Sequence, residues 1–284
     1  MSFYWLNVLG GLAYGALLFM IASGFTLIFG LMRVVNVAHT ALYLLGVYLG
    51  LTMLLNKVNF WLAALVSGIA IMIVGLVIYR GFLHRYRTQE LTTVLLSLGF
   101  SIILADVVLA IWGGDPRSVP PPPELAHSVQ LFGVVFPAYW LAMIGLAAVV
   151  AILLGLLVRY TLLGAIIRAG VDDQEMLRAL GVDVDKTFYL VFALGSFLAG
   201  LGGVLGGPIT AAYPGLDAEL LPLAFAVVIV GGMGSLAGAY LGSIIVGLVN
   251  AFGKALFPQL SYFTIFVPVA IIMAVRPRGL LGRR

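Results

Sequence analysis

Long uncharged apolar stretches recur along almost the whole chain, each near the roughly 20 residues a helix needs to cross a hydrocarbon core. Cutting the sequence at its charged and Gly- or Pro-rich punctuation predicts spanning helices over 8–31, 38–55, 60–79, 92–112, 139–158, 188–206, 219–231, 236–253 and 262–275. The pattern therefore gives about nine spans, with eight to ten compatible with it. Segment 219–231 is short for a full crossing and Gly231-Gly232 follows at once, so it reads as a half-helix or re-entrant element beside a cavity.

Composition agrees with the pattern. Of 284 residues 63% are hydrophobic and 9% charged, and the mean hydropathy is +1.16, too little polarity to coat a water-soluble globule. The fold class expected is an all-α membrane protein, a polytopic helical bundle forming one transmembrane domain over residues 1–284. The first apolar stretch, Phe3 to Met32, has no Lys or Arg ahead of it and reads as a retained span, not a cleaved signal. Without cysteine there are no thiolate metal sites or disulfides, and His39, His84 and His127 lie too far apart for a ligand motif. No cluster of acids, bases or metal ligands suggests catalysis, so catalytic, cofactor and metal sites are all expected to be absent from this chain.

The net charge of +4 reads as membrane orientation and not as nucleic-acid binding. Placing the 80–91 and 159–187 loops and the C-terminus in the cytoplasm puts Arg33, Arg80, Arg85, Arg87, Arg159, Arg168, Arg178, Lys186, Arg276, Arg278, Arg283 and Arg284 inside. Only Lys57, Arg117 and Lys254 stay outside, and an odd number of spans then gives an outside N-terminus and a cytoplasmic C-terminus. Glycines at four-residue spacing (Gly11/Gly15, Gly46/Gly50, Gly202/Gly206 and Gly234, Gly238, Gly242) predict close helix packing inside the bundle.

One segment breaks the apolar pattern. "RAGVDDQEMLRALGVDVDK" (168–186) holds eight of the chain's 26 charged side chains, 15 basic and 11 acidic. In hydrocarbon they would cost on the order of 20 kcal/mol together, so the segment lies in water. Asp172 with Glu175 resembles a capping box and Gly181 stands where a C-terminal glycine belongs, which predicts a helix of about two turns. Met176, Leu177 and Leu180 form an apolar stripe on it. Two readings are open: the stripe packs on the protein's own helix ends, or it docks into a partner. On the opposite side, segment 113–138 carries four consecutive prolines and reads either as a rigid connector or as a rim with Asp115, Arg117 and Glu124 available for ion pairs. Asp106 lies about 9 Å from the outer end of its span, within reach of interfacial water.

Four blocks, in order, resemble the membrane permeases of branched-chain amino-acid ABC importers of the LivH type. They are "SGFTLIFGLMRVVNVAHTALYLLGVYLG" (23–50), "LGAIIRAGVDDQEMLRALGVDVDKTFYLVFALGSFLAGLGGVLGGP" (163–208), "VVIVGGMGSLAGAYLGSIIVGL" (227–248) and "RPRGLLGRR". Two departures stand out: Asn36-Val37-Ala38-His39-Thr40 replaces the usual Asn-Phe-Ala-His-Gly, and the loop 79–91 lacks an Arg-Pro-Leu-Arg pattern. Relatives also carry urea, short amides or aromatic acids, so the departures leave the solute unassigned.

The resemblance implies an ABC importer permease in the bacterial inner membrane, for branched-chain amino acids or a related small amide or carboxylate. The chain's nearest match to a P-loop, "GLVNAFGKA" (247–255), has the wrong spacing and lacks the final Ser or Thr. ATP-Mg is therefore expected on two separate cytoplasmic ATPase subunits, with loop 159–187 coupling through Asp172, Asp173, Glu175, Met176, Leu177, Arg178, Leu180 and Gly181. The other implied partners are a second related permease or a second copy, a periplasmic or extracellular substrate-binding protein, and membrane lipid. Asn36, His39, Thr40 and Tyr43 share one helical face at the start of the second span and are candidates for the translocation path, or else satisfy one another. A stand-alone channel or secondary carrier is the alternative; it leaves the capped cytoplasmic helix without a task.

Overall fold

The computed structural model describes residues 2–32, 35–87, 89–131 and 133–282. Arg33, Arg283 and Arg284, counted above with the cytoplasmic charges, lie outside them. Helices α1 (Ser2–Met32), α2 (Ala38–Leu55) and α3 (Phe60–Ile78) come first. A π-turn over Tyr79–Leu83 carries α3 into the short α4 (His84–Tyr86), and α5 (Glu90–Trp112) follows. A small antiparallel hairpin, β1 (Ser128–Leu131) and β2 (Val134–Pro137), precedes α6 (Ala138–Tyr160). Then come α7 (Leu162–Asp172), α8 (Gln174–Ala179), α9 (Val184–Thr210), α10 (Leu216–Gly231), α11 (Leu236–Leu256) and α12 (Ser261–Val275).

Apolar length located the spans well, because in hydrocarbon each backbone N–H and C=O must find its partner within its own helix. Among the described residues seven helices are long and apolar enough to cross a membrane. At about 24 Å and about 22 Å for their 16 and 15 residues, α10 and α12 fall short of a 30 Å core. The pattern missed three features: α7, which at 11 residues is too short to register as a span; the β1/β2 hairpin, turned at Gly133 (φ +76°); and the π-turn.

The bundle is organised around α9, which packs against α1, α2 and α3. Glycines let these backbones meet. A Cβ on Gly24 would lie 2.6 Å from the Gly195 carbonyl oxygen, one on Gly46 2.7 Å from the Gly200 Cα, and one on Gly203 2.5 Å from the Tyr43 carbonyl oxygen. On the other side of α1, a Cβ on Gly15 would lie 2.7 Å from the Ser243 carbonyl oxygen of α11. Gly242 presses on α10, its Cβ direction meeting the Val227 carbonyl oxygen at 2.5 Å; Gly238 packs on Gly231; Gly234, in the turn before α11, faces Gly30 of α1. Outward faces are apolar, as lipid requires: Ile102 and Ile103 on α5 and Ile152 and Leu153 on α6 are exposed.

Overpacking gives a direct test. Gly203→Ala drives a methyl into the Tyr43 carbonyl and should cost about 1–3 kcal/mol, read as a lower melting temperature in detergent. Gly145→Ala, on α6 with nothing within 4 Å of its Cβ direction, should leave melting unchanged or raise it.

Candidate functional site: a buried helix break and a surface lever

Helix α2 begins deep in the bundle. His39 Nε2 lies 3.1 Å from the Ile21 carbonyl oxygen, a point about 16 Å of helix before the end of α1. The chain at 35–37 is therefore non-helical at a depth where water does not serve backbone groups, and side chains must do so. Ser97 of α5 does this. Its Oγ accepts a hydrogen bond from the Val37 N–H at 3.0 Å and donates to the Val94 carbonyl at 2.8 Å. Ser97 belongs to a buried stripe of Thr93, Ser97 and Ser101 at four-residue spacing, while Leu95, Leu98 and Ile102 of the same helix face outward.

The polar face expected at the start of α2 sits at this break. Asn36, His39, Thr40 and Tyr43 are all buried, the last three at 0–1% exposure. The ring of His39 lies edge-on to Phe25, and the hydroxyl end of Tyr43 packs on Gly206. Both carboxamide atoms of Asn36, the Thr40 hydroxyl and His39 Nδ1 have no hydrogen-bond partner among the described residues. Each such group forgoes roughly 1–3 kcal/mol relative to a satisfied one. The break thus offers unused donors and acceptors to whatever reaches it, and the Asn36, Thr40 and Tyr43 contributions carry no formal charge.

The charged run forms two helices. Its N-cap is Asp173, not Asp172: Asp173 Oδ1 accepts from the Glu175 and Met176 N–H groups, each at 2.9 Å, whereas Asp172 ends α7 and its side chain lies outside the described residues. The reason is phase, since α7 continues to Asp172 and only the extended residue after it can cap. At the other end Gly181 (φ +78°) donates to the Arg178 carbonyl and Val182 to that of Leu177, the paired bonds of a Schellman stop. The apolar stripe is divided. Leu177 is buried against the protein itself, close to Gly170 and Leu31, while Met176 and Leu180 are 57% and 72% exposed. Glu175 and Arg178 are also exposed.

Three attachments fix this segment. Gln174 Nε2 donates to the Leu31 carbonyl at 2.7 Å, one of the last carbonyls of α1. Arg87 is in a tight ion pair with Asp185 at the start of α9 and lies over the Phe188 ring; Arg178 stands 4.0 Å from the same carboxylate. Asp183 caps α9, and the Lys186 backbone N–H, with the Lys186 side chain, holds its carboxyl below the usual range. Sequence reasoning missed Ser97, Gln174, Arg87 and Asp185. The 93/97/101 spacing was a usable signal for the first; the others depend on contacts far apart in the chain.

At the proline-rich end, Asp115 and Glu124 are exposed, but Arg117 is engaged inside the chain. Its backbone pairs with Ala212 in both directions at 2.8 Å, and its guanidinium donates to the Trp112 carbonyl at the end of α5. Val119 beside it is buried on Gly207. Asp106 is exposed on α5.

A family model described as the branched-chain amino acid transport system permease component matches residues 7–275. Similar proteins include the high-affinity branched-chain amino acid transport system permease LivH of Salmonella typhimurium, 27% identical over 98% of this chain and 95% of that protein. BraD of Pseudomonas aeruginosa, from a system of the same description, is 28% identical over 99% of this chain and 96% of its own length. The fructose import permease FruF of Bifidobacterium longum is 27% identical over 81% of this chain and 65% of that protein.

Ser97→Ala removes the acceptor for the Val37 N–H and should destabilise the protein by about 1–3 kcal/mol. Amide exchange at 35–37 should accelerate along with the loss of melting temperature, while Ser97→Thr should largely restore both.

Proposed function

The chain belongs to the family of branched-chain amino acid transport system permease components, and from that membership we propose that it imports amino acids, with α8 as the coupling helix for separate ATPases. It is a multi-pass membrane permease of an ABC importer and not an enzyme. Transport by such a permease draws on ATPase and binding-protein partners.

The observation that carries the reading is the divided stripe on α8. A helix of two turns in water has little stability of its own, yet this one is capped at both ends and anchored through Leu177 and Gln174. It still presents Met176 and Leu180 outward. Burial of both in a partner's groove is worth about 1.5–3 kcal/mol each, with Glu175 and Arg178 setting register around them. Asp173 and Gly181 act by shaping the helix. ATP-Mg binds on the two ATPase subunits, and their closure pushes on α8. Because α8 is tied to the end of α1 and the start of α9, that push reaches the centre of the bundle.

Orientation follows the charges: by sequence position 12 of the 15 Lys and Arg residues are assigned to the side of the 159–187 segment, which we place in the cytoplasm, with the N-terminus outside. The proline-rich end then faces the binding protein, with the exposed Asp115 and Glu124 as contacts and Arg117 as an internal strut. Asn36, His39, Thr40 and Tyr43 serve the path when the break at 35–37 opens, and the bundle pairs with a related permease or a second copy. Branched-chain amino acids suit a route with hydrogen-bonding groups at one level and apolar walls elsewhere.

Changing Met176 and Leu180 together to Asp tests the coupling. Loss of both contacts should weaken ATPase association by roughly 100-fold or more, abolishing copurification and ATP-dependent uptake while melting of the isolated permease is unchanged. Retention of copurification and uptake by the double variant overturns the assignment.

A further inference from the structure

On the same end as α8, a cleft of about 350 Å³ lies between α1, the end of α6, α7 and the glycine-rich turn into α11. Two guanidinium-bearing residues, Arg159 and Arg168, line it, and among the described residues neither is ion-paired to a carboxylate. The turn Met233-Gly234-Ser235 delivers the N-terminus of the 21-residue α11 to the same wall. Ser235 Oγ accepts from the Gly238 N–H at 3.0 Å, which leaves the Leu236 and Ala237 N–H groups without an intrahelical acceptor. Thr26 also lines the cleft; it is 1% exposed, and among the described residues its hydroxyl has no hydrogen-bond partner.

Two cations, the positive end of a helix dipole and an unused buried hydroxyl on one cavity call for a compact anion with several acceptor oxygens. The remaining walls, among them Leu27, Ile167 and Met233, are apolar. A freely hydrated ion gains nothing from such walls, whereas the glycerol and first methylenes of an acyl chain do. The cleft reaches the surface at Gly155, beside the outward-facing Leu153 and Leu156 of α6, so chains can leave it along a face already apolar. We propose that this cleft binds a phosphate group, presented by an anionic phospholipid of the leaflet on the α8 side, with Arg159, Arg168, Thr26 and the first turn of α11 as its ligands. A lipid held there touches α1 and α7, the two elements against which α8 is seated, and so adjusts the seating of the lever.

The test uses the full permease, delipidated in detergent together with the subunits that copurify with it, and reads binding instead of uptake. It is thus independent of whether the solute or the coupling assignment is right. Three probes are compared by native mass spectrometry and thermal shift: short-chain phosphatidylglycerol, the corresponding diacylglycerol, and inorganic phosphate. Phosphatidylglycerol should bind and raise the melting temperature, diacylglycerol should bind at least roughly tenfold more weakly, and Arg168→Gln and Thr26→Val should each weaken phosphatidylglycerol by roughly tenfold. Arg159→Gln, at an exposed position, supplies the same comparison should Arg168→Gln not fold. Displacement of the lipid by an equal concentration of inorganic phosphate supports the anion site and makes a soluble phosphate its source. Equal binding of phosphatidylglycerol and diacylglycerol, or phosphatidylglycerol binding unchanged in both arginine variants, overturns the proposal.

Discussion

Close approach of bare backbones along α9 is the constraint on which the rest of the structure depends. In lipid no water is released when one helix meets another, so association rests on dispersion contact, which falls away within an ångström of separation. Gly195, Gly200 and Gly203 bring α9 against α1, α3 and α2 in turn, with glycines of α1 and α2 completing two of those contacts. The polar content of the bundle is placed accordingly. Side-chain hydroxyls such as Ser97 serve the non-helical backbone at 35–37, and most charged groups lie near the ends of the helices. Helix α8 stands beside the first turn of α9, with Arg178 4.0 Å from the Asp185 carboxylate, so the charged surface segment is held to the helix that organises the core.

Much of this was legible in the sequence. The length of the apolar runs placed α2, α3 and α10 to within a few residues, because hydrocarbon leaves a helix as the sole solution for an uncharged run. Gly181 was legible too, since a glycine after a short amphipathic stretch has few other uses. The stripe Met176, Leu177 and Leu180 was visible as a stripe, but its division was not: Leu177 is the residue that meets Gly170 of α7 beside Leu31 of α1, an element far away in the chain. The same limit applies to the cap, where α7 running on to Asp172 hands the role to Asp173.

The candidate path was half visible. The spacing of Asn36, His39, Thr40 and Tyr43 put them on one face, but it did not show that this face lies at mid-depth beside α1. That depth changes their meaning. Near an interface, water would satisfy them; beside Ile21, the unused atoms of Asn36 and Thr40 carry a real energetic cost that a polar solute or an altered arrangement of α1 and α2 would relieve.

The π-turn at Tyr79–Leu83 sets the azimuth of the α4 turn that continues from it. A turn of that kind accommodates one more residue than an α-turn, so the chain beyond it is rotated by about 100° relative to an unbroken helix. That rotation aims Arg87 at Asp185 while Tyr79 stays stacked on Phe192. The loop 79–91 and the foot of α9 are therefore keyed to one another by residue count as well as by charge: a chain one residue shorter there could keep every side chain it needs and still point its arginine at lipid.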